Sequence, residues 1–486
     1  MALPITYRFF FLIFEPWTAL LGAAYAHYRQ HEYLTMTHSA SAPAAGHDIP
    51  TATSVVLSQL ANLYFFFTLN EALVLRSTSD LRVWRTLLFG LLVADFGHLW
   101  SLRPLGHHVY WDVAAWNAMD VALYLAMPYP ENFTGFQVNG PDTWLEFHKN
   151  EFKAKPFGDY DVDIKIEACG LCSSDVHTIS GGWGEQFYPL AVGHEIVGTA
   201  LRVGPKVSLI KPGQRVGVGA QSYSCLNCRQ CKKDNETYCR DQLDTYGAKW
   251  PDTGIISQGG YSSHVRTHEH WVFPIPDGLP TTSAAPMLCA GLTAYSPLVR
   301  NGTGPGKKVG IVGLGGIGHF GLMFSKALGA ETWVISRSHA KEADAMKMGA
   351  DGFLATQDQD WNKDHIMTFD LIVNAANSDL DMSPYLALLD VHGRFVSVGL
   401  PEGDGVKIRP QDLISNGCLI GASHLGSRKE MLAMLQLAAE KNIKTWVEEI
   451  PISSENLTKS LSRLHKGDIR YRFCLVGYDD EFGTRN

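Results

Sequence analysis

No lysine occurs before Lys149 and no cysteine before Cys169, although the chain runs to 486 residues. The net charge is −8 and no long basic run is present, which excludes a nucleic-acid partner held by phosphate contacts. All nine cysteines lie in the later part, several at Cys-x-x-Cys spacing, and this excludes a disulfide scaffold. Metal ligation in a reducing compartment is the reading that remains. The length asks for roughly three domains rather than one. A compositional seam falls near Met127, so the two parts are read separately.

Before the seam, four apolar runs stand out: Phe9 to Ala26, Val55 to Leu75, Leu87 to Leu102 and Tyr110 to Met127. Each approaches the ~20 residues that cross a bilayer as a helix. They contain Glu15, Asn70, Glu71, Asp95, His98, Asp112 and Asp120, polar groups that a bilayer tolerates only when they face one another or a wet cavity. The rival reading is a buried helical bundle. Arg8, Arg76, Arg82 and Arg85 outnumber Arg29 and Arg103 in the alternate loops. That bias predicts an N-terminus in the cytosol and, after four spans, a cytosolic remainder. A cleavable leader is not expected, because a Glu-Pro interrupts the first run.

Beyond the seam, EACGLCSSDVH is followed by GHE, offering Cys172, Ser174, His177, His194 and Glu195. A thiolate with an imidazole is half of a tetrahedral zinc site. Cys289, in TTSAAPMLCAGLTAYSPL, supplies a third ligand. Cys172, His194 and Cys289 together leave one coordination position for water or substrate. The bland reading of Cys289 alone is a small buried hydrophobe. The stretch SYSCLNCRQCKKDNETYC carries Cys225, Cys228, Cys231 and Cys239. Four soft ligands from one loop make a closed structural zinc site, so two zinc ions per chain are expected.

In KKVGIVGLGGIGHFGLMFSKALGAETWVISRS a short apolar strand runs into Gly313, Gly315, Gly316 and Gly318, and a helix opens behind them. Glycines there permit the tight turn and let a pyrophosphate reach free amides at the helix N-terminus. The second strand ends in Ser336, Arg337 and Ser338, with Lys341 beyond. An NAD site would place an acid at that point to bind ribose hydroxyls, whereas hydroxyl and basic groups suit a 2′-phosphate. NADP(H) is therefore expected.

With these motifs and the closing GDIRYRF, residues from Met127 onward resemble the zinc-dependent medium-chain alcohol dehydrogenases of the NADP-dependent cinnamyl-alcohol-dehydrogenase type. The resemblance implies an α/β fold in which a strand-rich, GroES-like catalytic domain (127–285 and 429–486) flanks a Rossmann domain (286–428). It also implies a homodimer acting on small alcohols and aldehydes. By the same resemblance Ser174 bonds the substrate oxygen and relays a proton through the nicotinamide ribose to His177. Glu195 stands beside the metal, Thr293 contacts the nicotinamide side, Arg470 contacts the pyrophosphate, and Trp183 forms an aromatic wall of the substrate pocket. Residues 1–126 resemble small four-span fungal membrane proteins of unestablished function, on FFLIFEPWTALLGAAYAH and LANLYFFFTLNEALVLRSTSDLRVWRTLL. The combined expectation is an all-α transmembrane segment anchoring a cytosolic aldehyde reductase. A cytosolic protein is expected instead if that segment and the enzyme are two neighbouring genes joined in one reading frame. The competing functions are a polyol dehydrogenase, for which the resemblance expects an acid in place of Cys289, and a membrane ligand-binding module carrying the dehydrogenase as passenger.

Overall fold

The structure is a computed structural model that describes residues 15–38, 49, 51–69, 132–378, 380–400 and 408–483. The chain divides into two units, Met1–Pro130 and Glu131–Asn486.

In the first unit the helices Glu15–Tyr28, Gln30–His38 and Thr51–Leu69 are described. Small residues allow close approach: Ala23, Ala26 and Ala61 are buried together, with Tyr33 and Tyr64 packed against them. Among the described residues no helix is long and apolar enough to cross a membrane. The expected spans find no support among the described residues. Of the first run only Glu15 to Ala26 is described, within the helix Glu15–Tyr28. Of the second run only Val55 to Leu69 is described, within the helix Thr51–Leu69, where Ser58, Gln59 and Asn62 interrupt the apolar residues. The runs Leu87 to Leu102 and Tyr110 to Met127, with Asn70, Glu71, Asp95, His98, Asp112 and Asp120, lie outside the described residues.

In the second unit the strand Asp161–Leu171 is the axis of a seven-stranded sheet. Its neighbours in order are Val447–Pro451, Arg472–Val476, itself, Ile196–Val203, Arg215–Val218 and Val272–Pro274, while His264–His268 pairs on it separately. Val162, Ile164 and Ile166 alternate along that strand and are buried in one core, the period of two that sets one face inward. Asp163 breaks the pattern, and Arg266 meets it with bonds of 2.6 and 2.9 Å. Two strands of this sheet come from beyond residue 446, so the chain returns to it after building a second sheet.

That second sheet holds six parallel strands in the order Gly352–Ala355, Glu331–Ser336, Lys308–Val312, Phe369–Asn374, Leu389–Ser397, Leu419–Ala422. In chain order this is 3-2-1-4-5-6, the doubly wound dinucleotide topology, with its switch point beside the first strand. Runs such as VGIV and LIV are apolar without alternation because helices cover both faces of a parallel sheet. The segment joining the two sheets, Thr281–Arg300, is buried along most of its length. The expected chain breaks at 285/286 and 428/429 fall inside Thr281–Pro286 and at the first residue of Arg428–Glu440.

Since the second unit closes its own sheets and cores, a chain beginning at Met127 should stay soluble. It should melt where this unit melts in the full-length protein, by calorimetry. Aggregation of the shorter chain would refute this separability.

Candidate active site and structural metal centre

The strand Asp161–Leu171 hands over to the helix Ser173–Ile179 at Cys172, which serves as its N-cap. In the first turn Asp175 reaches back to the Cys172 amide at 2.9 Å. Its two oxygens also take the Gly193 amide at 3.1 Å, the Tyr261 hydroxyl at 3.1 Å and His194 Nδ1 at 2.9 Å. Asp175 has no exposed surface. By accepting at Nδ1 it turns Nε2 of His194 toward the thiols, the arrangement that orients a metal-ligating histidine. Gly193 has to be glycine: its φ is +102° and an added Cβ would stand 2.7 Å from the Tyr261 ring.

Cys289 arrives from a five-residue π-helix, Met287–Gly291, a bulge of the kind that concentrates at functional sites. Its Sγ is 3.1 Å from His194 Nε2. Cys172, His194, Glu195 and Cys289 bring their ligand atoms within 4.8 Å of one another, all buried. A hydrogen bond from Cys289 holds the Cys172 thiol well below its ordinary range, against the effect of burial. Burial works against the His194 cation, but Asp175 outweighs it and raises the imidazole well above its usual value. Two sulfurs and one nitrogen make the soft-and-borderline donor set that suits zinc.

Glu195 forms a buried ion pair with Arg472. Burial pushes the Glu195 carboxyl up, and Arg472 draws it back down. Arg472 loses stability as a cation through burial and regains more from Glu195 and Cys172. The same guanidinium abuts the glycine turn, since a Cβ on Gly316 would lie 2.9 Å from Arg472 Nη1. Arg470, expected at the pyrophosphate, donates to the Ala340 carbonyl at 2.9 Å and lies 3.5 Å from Asp344. Arg472 is buried and opens the strand Arg472–Val476, whereas Arg470 precedes that strand and is exposed. Neither Asp175 nor Arg472 was singled out by sequence reading, although an acid three residues past a candidate ligand was a usable signal.

Ser174 and His177 lie on the same short helix at i, i+3, so they share a face. Cys172 Sγ approaches Ser174 Oγ at 3.5 Å. Trp183 stacks on His177 with centroids 5.0 Å apart and is 40% exposed, so an aromatic plane borders the opening. Thr293 is buried in the helix Leu292–Arg300.

Cys225, Cys228, Cys231 and Cys239 form the second cluster. Four of their Sγ–Sγ separations are 3.4, 3.5, 3.9 and 4.0 Å. A zinc–sulfur bond of ~2.3 Å gives a tetrahedral edge of about 3.8 Å, so the cluster fits the ion. Backbone and thiol hydrogen bonds lower Cys228 to about 7, whereas burial and its neighbours push Cys231 up to about 12. The thiols thus compete for a negative charge that a divalent cation would let them share.

Gly313, Gly315, Gly316 and Gly318 lie between the strand Lys308–Val312 and the helix Gly318–Ala327. Gly318 admits no side chain, because a Cβ would stand 1.9 Å from the Gly313 carbonyl oxygen, while nothing lies within 4 Å of one at Gly315. His319, just inside the helix, is fully buried, stacks on Tyr471 and is lowered to about 3 by burial and Arg472. Ser336 ends the second strand. Lys341 donates to the Leu314 carbonyl at 2.7 Å, and burial together with Arg470 and Arg337 lowers its pKa. Arg337, Lys341 and Arg470 are thus near neighbours beside the end of the second strand.

Residues 158–277 match the alcohol dehydrogenase GroES-like domain and 316–440 the zinc-binding dehydrogenase family. Residues 1–123 match a family described only as a domain of unknown function, so four-span character rests on sequence alone. The chain is 52% identical over 361 residues to NADP-dependent alcohol dehydrogenase 6 of Saccharomyces cerevisiae, covering 73% of this chain and 99% of that one. Cinnamyl alcohol dehydrogenase 2 of Arabidopsis thaliana is 41% identical over 332 residues, covering 67% and 86%. Among solved structures, a cinnamyl alcohol dehydrogenase from Sorghum bicolor superposes with TM-score 0.68 at 35% identity, over 71% of this chain and 97% of that one. CAD from Helicobacter pylori complexed with NADP(H) gives 0.66 at 30%, over 71% and 98%.

Two metal sites of different purpose should respond differently to substitution. Asp175→Asn should weaken zinc at the Cys172 site by about 10–100-fold, the usual effect of losing a ligand's hydrogen-bond partner, read by competition with a chelator. Cys231→Ser should lower the melting temperature and remove one of two zinc ions per chain. Metal analysis of active, unmodified protein that returns a single zinc would contradict the pairing.

Proposed function

The chain belongs to the zinc-binding, medium-chain alcohol dehydrogenase family, and on that premise we propose that it reduces aromatic and medium-chain aldehydes with NADPH and runs the reverse oxidation of the alcohols. The observation that carries this reading is the gathering of Cys172, His194, Glu195 and Cys289 within 4.8 Å, beside the Ser174 hydroxyl. Arg472 ties that point to the glycine turn. When bound, zinc supplies a Lewis acid at the substrate oxygen, and the nicotinamide supplies or takes the hydride.

The remaining work belongs to the protein. Cys172, His194 and Cys289 would hold the metal, with Asp175 fixing the histidine tautomer. Ser174 holds the proton that the substrate oxygen gains or loses, and His177, one turn on, connects it outward. Trp183 flanks flat substrates. The glycine turn accepts the pyrophosphate, with Thr293 on the nicotinamide side. Ser336, Arg337 and Lys341 take the 2′-phosphate, and Arg470 braces their turn through Ala340. A homodimer accords with the edge strand Leu419–Ala422, where Leu419 is 55% exposed. Cysteine rather than an acid at position 289 argues against polyol oxidation.

Ser174→Ala should lower turnover by about 10²–10⁴-fold, the range for a lost proton-transfer group, while zinc stays bound. Unchanged turnover would remove Ser174 from the mechanism. NADPH should be strongly preferred to NADH, and Arg337→Asp should cost about 1–3 kcal/mol of NADPH affinity through one lost charge-assisted contact. Equal kcat/KM for both cofactors in the unmodified enzyme would refute the 2′-phosphate site.

A further inference from the structure

The turn that ends the second strand of the dinucleotide sheet carries Ser336, Arg337 and Ser338, then the short helix His339–Lys341. It is tied down on two sides. Lys341 reaches the Leu314 carbonyl at 2.7 Å and Arg470 the Ala340 carbonyl at 2.9 Å, which anchors it to the glycine turn and to the C-terminal part of the chain. On the other side the Thr356 and Gln357 amides donate to the Ser336 and Arg337 carbonyls at 2.8 and 3.1 Å. Asp358, directly after them, is thereby brought alongside the turn just past the third strand, Gly352–Ala355.

His339 bridges that gap. Its Nδ1 lies 2.8 Å from Glu342 Oε2, at the start of the helix Glu342–Lys347, and its Nε2 lies 2.9 Å from Asp358 Oδ2. A neutral imidazole donates from one nitrogen only, so two carboxylate partners call for the imidazolium. The two acids accordingly hold its pKa above the ordinary histidine value, Glu342 most strongly. These are the charged groups that face it, and its third neighbour is the Phe353 ring with centroids 6.1 Å apart. About half of each of the three polar side chains is exposed, and pairs so placed add little stability. Their significance is where they stand. Among the described residues His339 is the one cation paired with Glu342 or with Asp358, two carboxylates next to Ser336, Arg337 and Lys341.

We infer that His339 is a positioning residue for cofactor choice: as an imidazolium it neutralises Glu342 and Asp358 beside the 2′-phosphate turn, and its deprotonation weakens the preference for NADPH over NADH. The inference rests on the 2′-phosphate reading above and adds a pH dependence to it. At low pH the imidazolium is present, and NADPH meets a turn whose neighbouring acids are covered. As pH rises through the folded-state pKa, which the acids place above the usual ~6.5, both carboxylates are uncovered. A phosphate monoester is a dianion by then (second pKa about 6), so they repel it. NADH carries no phosphate at that position and should be indifferent. By reciprocity a bound 2′-phosphate helps His339 keep its proton, so binding NADPH should take up a fraction of a proton in the same window.

The test measures Kd for NADPH and for NADH by calorimetry between about pH 6.5 and pH 9, with the full-length, zinc-loaded protein at low ionic strength. Lys341 and the phosphate titrate too, so each variant is compared with the unmodified protein at the same pH. His339→Gln should weaken NADPH by about three- to fivefold at the acid end, the size of one charge acting through solvent, and by little at the alkaline end. Glu342→Gln combined with Asp358→Asn should tighten NADPH, at the alkaline end above all. A merely structural tie would weaken NADPH in both variants. That result, or a His339→Gln effect that is absent or the same at every pH, overturns the inference alone. Equal affinity of the unmodified protein for NADPH and NADH overturns the 2′-phosphate reading and this inference with it.

Discussion

Four hydrogen bonds onto one buried carboxylate hold the catalytic site together. Asp175 collects the Cys172 amide, the Gly193 amide, the Tyr261 hydroxyl and His194 Nδ1, which joins the start of a helix to a loop 18 residues later in the chain and to a tyrosine further on. A carboxylate without exposed surface persists as a charge only when such donors replace its water. The arrangement therefore constrains in both directions. Donors stand in for water around Asp175, and Asp175 keeps the imidazole's other nitrogen aimed at Cys289. Removing any one donor would leave a buried charge less well solvated rather than merely lose a contact.

The Glu195–Arg472 pair extends that order across the cleft. Arg472 belongs to a strand near the chain's end, paired with the strand that leads into Cys172, and it touches both the acid beside the metal ligand and the glycine turn of the other sheet. Buried ion pairs are poor sources of net stability, because desolvation offsets most of the attraction. This one earns its place through position, since a single guanidinium registers the metal site against the dinucleotide turn. A lysine would reach only one of the two.

Much of the site was legible in the sequence. Cys172, His194 and Cys289, the four thiols of the lobe and the glycine turn each announce themselves, because metals and phosphates demand particular atoms at particular spacings. Asp175 was not legible in the same way, since its spacing reads equally as an ordinary helix cap. Arg472 was not legible either, since its burial against Glu195 depends on a strand pairing with residues hundreds of positions away. Counting apolar residues in the first segment was weaker still. Composition suggested spans, whereas among the described residues no helix is long and apolar enough to cross a membrane.

The four-thiol lobe has a bearing on the cleft that its closed coordination conceals. Cys239 lies five residues before Asp244 in the chain, and the intervening segment is pinned by Gln221, whose amide reaches the Thr237 carbonyl at 3.3 Å and Gln242 at 3.1 Å. On its outer side Glu236 accepts from the Arg428 amide at 2.6 Å, at the start of the helix that follows the dinucleotide sheet. Arg428 in turn donates to the carbonyls of His270 and Val272 at 2.5 and 2.7 Å. A metal enclosed by Cys225, Cys228, Cys231 and Cys239 would thus fix a loop gripped by both halves of the enzyme. The loop's far end sets where the Tyr246 ring stands, 5.5 Å from the ring of His194. Structural and catalytic centres are separate in chemistry, but the backbone between Cys239 and Tyr246 makes the shape of one depend on the integrity of the other.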